Sequence, residues 1–225
     1  MNRCWYRTLL PTAALIAVSS HAAEPIVTID QEPQHRLKFQ NQHVRLFDVL
    51  LPPGYKSLWH SHLNDGVFVV VESAESQAQD LGAEPVDRPP RTIGETFFIN
   101  YGKKHNVHRV NNTGATPYHV TDTEILQSCP GYAPAKDAEG QTLILENERV
   151  RVTRLMIGPG ETMKLHPPCG MLIAVTTAKL SFKGPGAEET VTFDSAGFKW
   201  RNQLQPLQFT NVGQEVFHGV DIVLK

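Results

Sequence analysis

The 225-residue sequence has no long apolar run beyond its N-terminal stretch, so nothing after that stretch reads as a membrane-crossing helix. It has no charge of one sign in excess. Lys and Arg number 21 against 23 Asp and Glu, and a formal net charge of −2 gives no reason to expect nucleic acid or an acidic membrane as partner. Cysteine is scarce, with three in the chain, which excludes a disulfide-dense scaffold. A strong helical period is missing as well. What remains is a 40% hydrophobic, 20% charged composition with sixteen Gly and sixteen Pro. That is a soluble globular chain of many turns and short strands, long enough for one large domain or two small ones.

The N-terminus has the pattern of an export signal. Arg3 and Arg7 precede the mostly apolar Thr8 to Val18, and Ser20-His21-Ala22 offers small residues at the two positions cleavage requires. Residues 1–22 are therefore expected to be removed, leaving a secreted or periplasmic protein with no membrane attachment. The apolar run is short for an anchor and contains Pro11. Cys4 leaves with the signal, and Cys129 and Cys169 remain. In an oxidising compartment they form either a bridge or two free thiols, because sequence gives no Cα separation.

The rest of the chain repeats itself. Asn41, Val44, Arg45, Pro53, Gly54 and His60 match Asn147, Val150, Arg151, Pro159, Gly160 and His166 without a gap. Further on, Asn112, Gly114, His119 and Asp122 match Asn211, Gly213, His218 and Asp221. One unit present twice, by internal duplication, is the natural reading. The N-terminal unit spans 23–128, a linker 129–142 and the C-terminal unit 143–225. Each unit reads as β, with partial alternation over Val44–Val49 and Val150–Leu155 and a Pro-Gly turn after each. Val67 to Val71 reads as a strand buried on both faces. Ala74 to Arg91 is polar and Pro-rich, and reads as a loop: a lid over a pocket or a solvated hairpin tip. Many short strands with regular turns predict a sandwich or barrel.

The chemistry concentrates in three histidines. His60 and His62 are two apart on an expected strand and so point to one face. His108, from a later strand, can close on them. Three imidazoles with an open position suit a catalytic metal; the competing reading is histidines lining a metal-free pocket. The second unit keeps only His166, with Pro168 in the place of His62 and Leu207 in that of His108.

Pro53-Gly54, His60-Ser61-His62, Gly94, and His108 followed by Asn112 and Gly114 resemble the two cupin motifs. The resemblance covers nearly the whole mature chain, once per unit, and implies an all-β bicupin: two tandem jelly-roll barrels. It also implies one divalent transition metal, Fe, Mn, Zn, Ni or Cu, held in the N-terminal barrel by His60, His62 and His108. The family glutamate would fall at Gly66 or Val67, neither a ligand.

The remaining candidates have plainer roles. Asp65 in Asn64-Asp65-Gly66 is read as a turn rather than a fourth ligand. Asn112 and Asn211 are expected to hold turns, and His119 and His218 to make a buried structural hydrogen bond in each unit. His105 is expected at the surface. Tyr55, Trp59, Phe68, Phe98 and Tyr101 line the pocket or pack the core. Tyr101, Glu95 and Lys104 are the candidate second players in chemistry, and no catalytic residue is assigned. Three functions stand: a metalloenzyme of oxygenase, isomerase or hydrolase type acting on a small molecule, a non-catalytic small-molecule or metal binder, and a structural module. The partner is a small molecule, and the chain a monomer or homodimer.

Overall fold

A computed structural model describes residues 24–132, 137, 139–165, 169–183, 188–202 and 207–225. The expected signal (1–22), His166 and Pro168 lie outside them. The first half holds β1 (Ile26–Thr28), β2 (His35–Gln40), β3 (Val44–Leu51), β4 (Trp59–His62), β5 (Asp65–Glu72), β6 (Ser76–Asp80), β7 (Val86–Arg88), β8 (Thr96–Ile99), β9 (Asn106–Asn112) and β10 (Tyr118–Ile125). The second holds β11 (Gln141–Glu146), β12 (Val150–Ile157), β13 (Thr162–Leu165), β14 (Cys169–Ala174), β15 (Ala178–Lys183), β16 (Glu189–Phe193), β17 (Phe198–Asn202), β18 (Leu207–Asn211) and β19 (Phe217–Leu224). A single 3₁₀ turn, Ile29–Gln31, joins them among the described residues.

Each half is a pair of facing sheets. The first half orders them β1-β4-β9-β6-β7 and β2-β3-β10-β5-β8; the second, β11-β12-β19-β14-β17 and β13-β18-β15-β16. The expected loop at Ala74 to Arg91 contains β6 and β7, a hairpin on the edge of the first sheet. It escapes a hydrophobic reading because the exposed β7 buries nothing.

The two halves pack sheet against sheet. Val44, Leu46, Val67, Val69 and Ile125 from the first form one core cluster with Val150, Val152, Met171, Ile173, Val220 and Ile222 from the second. This explains the unbroken apolar run of β5. One face of it lines the first barrel and the other lies against the second, so neither face meets water. Cys129 and Cys169 belong to the same cluster and are joined in a disulfide, with Cα atoms 6.1 Å apart. Gly94 also belongs to this junction. Its φ is +80°, and a Cβ there would sit 2.1 Å from His218 Cε1, so only glycine fits.

Matched residues do matched work. Asn112 Nδ2 donates to the carbonyls of Leu51 and Thr116, both at 2.8 Å, and its Oδ1 accepts from Gly114 N at 3.0 Å. Asn211 does the same with Ile157, Glu215 and Gly213 at 2.9, 2.8 and 3.0 Å. Asn41 and Asn147 likewise hold the turns into β3 and β12 through their Oδ1 atoms. The histidine pair divides. His119 Nε2 meets Asp48 Oδ1 at 2.5 Å, whereas the buried His218 Nε2 has no hydrogen-bond partner. Arg154 stands in the matched strand position of Asp48 and pushes the His218 imidazole further towards neutrality, after burial.

Candidate metal centre

The first sheet delivers the three expected histidines together. His60 and His62 sit two apart on β4, and His60 is paired directly with His108 on β9. The ring centroids lie 5.1 Å apart for His60–His62, 4.7 Å for His60–His108 and 5.0 Å for His62–His108. His60 and His62 are fully buried and His108 half-buried.

A fourth histidine arrives from the opposite sheet. His35 opens β2, and its ring centroid is 4.5 Å from that of His60. Ring nitrogens of His35, His60 and His62 lie within 4.8 Å of one another. Sequence reasoning missed His35 because it belongs to no repeated or spaced pattern. The available signal was Glu32-x-x-His35, a carboxylate placed to hold an imidazole. Glu32 Oε2 accepts from His35 Nδ1 at 2.6 Å and from Gln34 N at 2.8 Å, and Glu32 Oε1 accepts from Tyr55 OH at 2.9 Å. Burial alone would raise the Glu32 carboxyl; the hydrogen bond and charge of His35, with Tyr55 and Gln34, outweigh it and bring it down to about 2.

His60, His62 and His108 are held neutral, the state a metal requires. Burial, then the neighbouring His35, takes His60 down to about 4. Burial, then His60 and His35, takes His108 down to about 3. His62 moves in the same direction through burial and then His108. His60 Nδ1 donates to Leu58 O at 2.9 Å, which leaves its buried Nε2 as a lone pair with no partner. Such an orphaned buried acceptor, among neutral nitrogen donors, fits a borderline divalent metal.

Asp122 on β10 stands behind His62. It is fully buried, its Oδ2 lies 3.6 Å from His62 Nδ1, and neither carboxylate oxygen has a hydrogen-bond partner. Burial, then the nearby Glu124, pushes its carboxyl well above the usual range. The matched Asp221 of the second barrel is instead paired to buried Arg201. Asp65 is neither ligand nor plain turn: it opens β5, and its Oδ1 accepts from Gly102 N at 2.8 Å.

His35, His62 and His108 line a cavity of about 540 Å³. Val49, Phe97 and Tyr118 contribute its apolar wall, and exposed Arg88 and Lys104 add positive charge. Tyr101 lines it too, with its ring stacked on His62 at 4.6 Å. Of the other aromatics, Phe68 reaches the cavity. Tyr55 serves Glu32, Trp59 lies under Arg109, and Phe98 packs into the junction between barrels. Glu95 bonds Arg91 and is not part of the lining, and His105 is exposed.

No protein-family profile and no curated protein matches the chain by sequence. Solved structures do match by shape. AerE from Microcystis aeruginosa superposes with a TM-score of 0.59 at 13% identity, over 86% of this chain and 98% of that one. The protein YhaK from Escherichia coli gives 0.57 at 15% identity, over 84% and 87%. Oxalate decarboxylase from Lactobacillus farciminis gives 0.56 at 12% identity, over 82% and 77%. The chain shares their fold, the cupin-like jelly-roll barrel, here present twice. At the matching place the described residues of the second barrel are buried and apolar. Leu165, Phe182, Leu207, Phe209 and Phe217 belong to one buried apolar cluster there.

Proposed function

We propose that the N-terminal barrel is a metal-dependent site of oxygenase, isomerase or hydrolase type, acting on a small molecule with an apolar body and an anionic group. The observation that carries this is the set of neutral imidazoles of His60, His62 and His108, with the orphaned Nε2 of His60, beside a cavity of the first barrel, whereas the described residues of the second barrel hold a buried apolar cluster. His60, His62 and His108 would hold one divalent transition metal, which supplies Lewis-acid polarisation of a substrate oxygen when bound. An all-imidazole set leaves the metal's charge uncompensated, and Arg88 and Lys104 add to it, which favours an anion. Val49, Phe97 and Tyr118 exclude water from the substrate's apolar part. Burial keeps the Tyr101 phenol protonated, so it serves as a hydrogen-bond donor at the cavity wall. The oxalate decarboxylase among the structural neighbours supports an enzyme that takes a carboxylate.

Metal analysis of the purified protein beside His60→Ala and His108→Ala tests this reading. About one metal per chain is expected, lost in both variants. Two metals per chain, none, or unchanged content in the variants would overturn it. We further propose export with cleavage after Ala22, and origin of the two barrels by duplication. The disulfide accords with an oxidising compartment. N-terminal sequencing of the processed protein should begin at Ala23.

A further inference from the structure

We propose that His35 is a direct fourth ligand of the same metal, held in place by Glu32, so that the centre consists of His35, His60, His62 and His108. This rests on the metal reading above and deepens it, because it supplies a donor where the chain has no motif glutamate.

Position is the first argument. His35 comes from the sheet facing β4 and β9, yet its ring nitrogen joins those of His60 and His62 within 4.8 Å. It also lines the same cavity as His62 and His108. The ring is closer to His60, at 4.5 Å between centroids, than His60 is to His62 at 5.1 Å.

Orientation is the second. Glu32 is 1% exposed and accepts from His35 Nδ1, the Tyr55 hydroxyl and the Gln34 amide. An ionised carboxylate can only accept, so the Nδ1 proton belongs to His35 and Nε2 is the ring's remaining nitrogen. An imidazole whose far nitrogen is tied to a buried carboxylate is the arrangement that fixes a metal-ligating histidine. The Tyr55 bond in turn fixes the Glu32 carboxylate, so the ring is held by two successive hydrogen bonds. A histidine needed only for packing would not require that support.

Four imidazoles without a carboxylate ligand favour borderline ions such as Cu, Ni, Zn or Fe over Mg or Ca. Copper(II) therefore serves as the probe, loaded into the metal-stripped full chain, with ligated imidazoles counted by pulsed EPR. The wild type is expected to give four, and His35→Gln three. Zinc affinity, read by chelator competition, is expected to fall roughly 10–100-fold in His35→Gln and about 10-fold in Glu32→Gln. Equal counts in wild type and His35→Gln overturn the proposal. Should His35→Gln fail to fold, the wild-type count decides: four supports it and three overturns it. Copper lost in His60→Ala but bound equally by wild type and His35→Gln overturns this proposal alone. No copper in the wild type overturns it together with the metal reading.

Discussion

Leu165 faces Leu207 across β13 and β18, where His60 faces His108 across β4 and β9. Both pairs end four residues before the turn asparagine, Asn211 or Asn112, so the match is one of register and not only of sequence. A buried leucine pair takes the place of the histidine pair. The second barrel thereby gains apolar contact where the first carries polar nitrogen. Leu207→Ala is expected to cost about 2–5 kcal/mol by opening a cavity, with metal content unchanged. Urea unfolding with parallel metal analysis checks this. A variant that loses metal while staying folded would show that the second barrel takes part in the site.

The same register explains what could and could not be read from the chain. His60, His62 and His108 were legible because strand alternation and the later histidine put them on one face. The partner of Leu207 was not, since the gapless alignment sets His166 against His60. From Lys56 to His60 the first barrel advances four residues while its partner strand goes back three, from Asn111 to His108. In the second barrel, Thr162 to Leu165 runs against Thr210 to Leu207 with no extra residue. The added residue falls where Ser57 accepts from Val110 N at 2.9 Å through its hydroxyl. A bulge of this kind turns a strand without leaving a hydrophobic signature. His35 was hidden for another reason: it crosses from the opposite sheet, and contacts between sheets have no fixed sequence spacing.

The Cys129–Cys169 bridge closes a loop with a sequence separation of 40 residues and lies in the cluster shared by both barrels. Chain-entropy reasoning gives it roughly 2–4 kcal/mol. Cys169→Ser, or reduction of the wild type, is expected to lower stability by that amount without changing metal content, because neither sulfur adjoins the four-histidine cluster. Denaturant midpoints with and without reductant measure it. Equal midpoints would mean that the apolar junction alone holds the barrels.

Asp122 should leave a signature in the pH dependence of the metal-free protein. Burial raises its carboxyl in the folded state above the unfolded value, with Glu124 adding to this and Arg45 opposing it. The folded chain then keeps a proton that the unfolded chain releases. The stability this confers is complete below the unfolded value and falls as pH rises towards the folded one. Asp122→Asn removes that group while preserving its shape, so stability should decline less between pH 4 and 8. Unfolding curves of the two metal-free proteins across pH test this, and an unchanged slope would remove Asp122 from this role.

Glu32 gives the opposite sign. Its folded carboxyl is brought down to about 2, against burial, by His35, Tyr55 and Gln34. The stability it contributes is present above about pH 4.5 and is lost as pH falls through about 2. Glu32→Gln keeps the side-chain length but replaces a charged acceptor with a neutral one. At pH 7 it should cost about 1.5–3 kcal/mol, the range for a hydrogen bond to a charged group. The deficit relative to wild type should shrink as pH approaches 2, because the wild-type carboxylate is then protonated as well. Chemical unfolding of the metal-free pair at pH 7 and pH 3 measures the difference. A deficit that is the same at both values would mean that Glu32 acts by packing, and that the charge on its carboxylate does not hold His35.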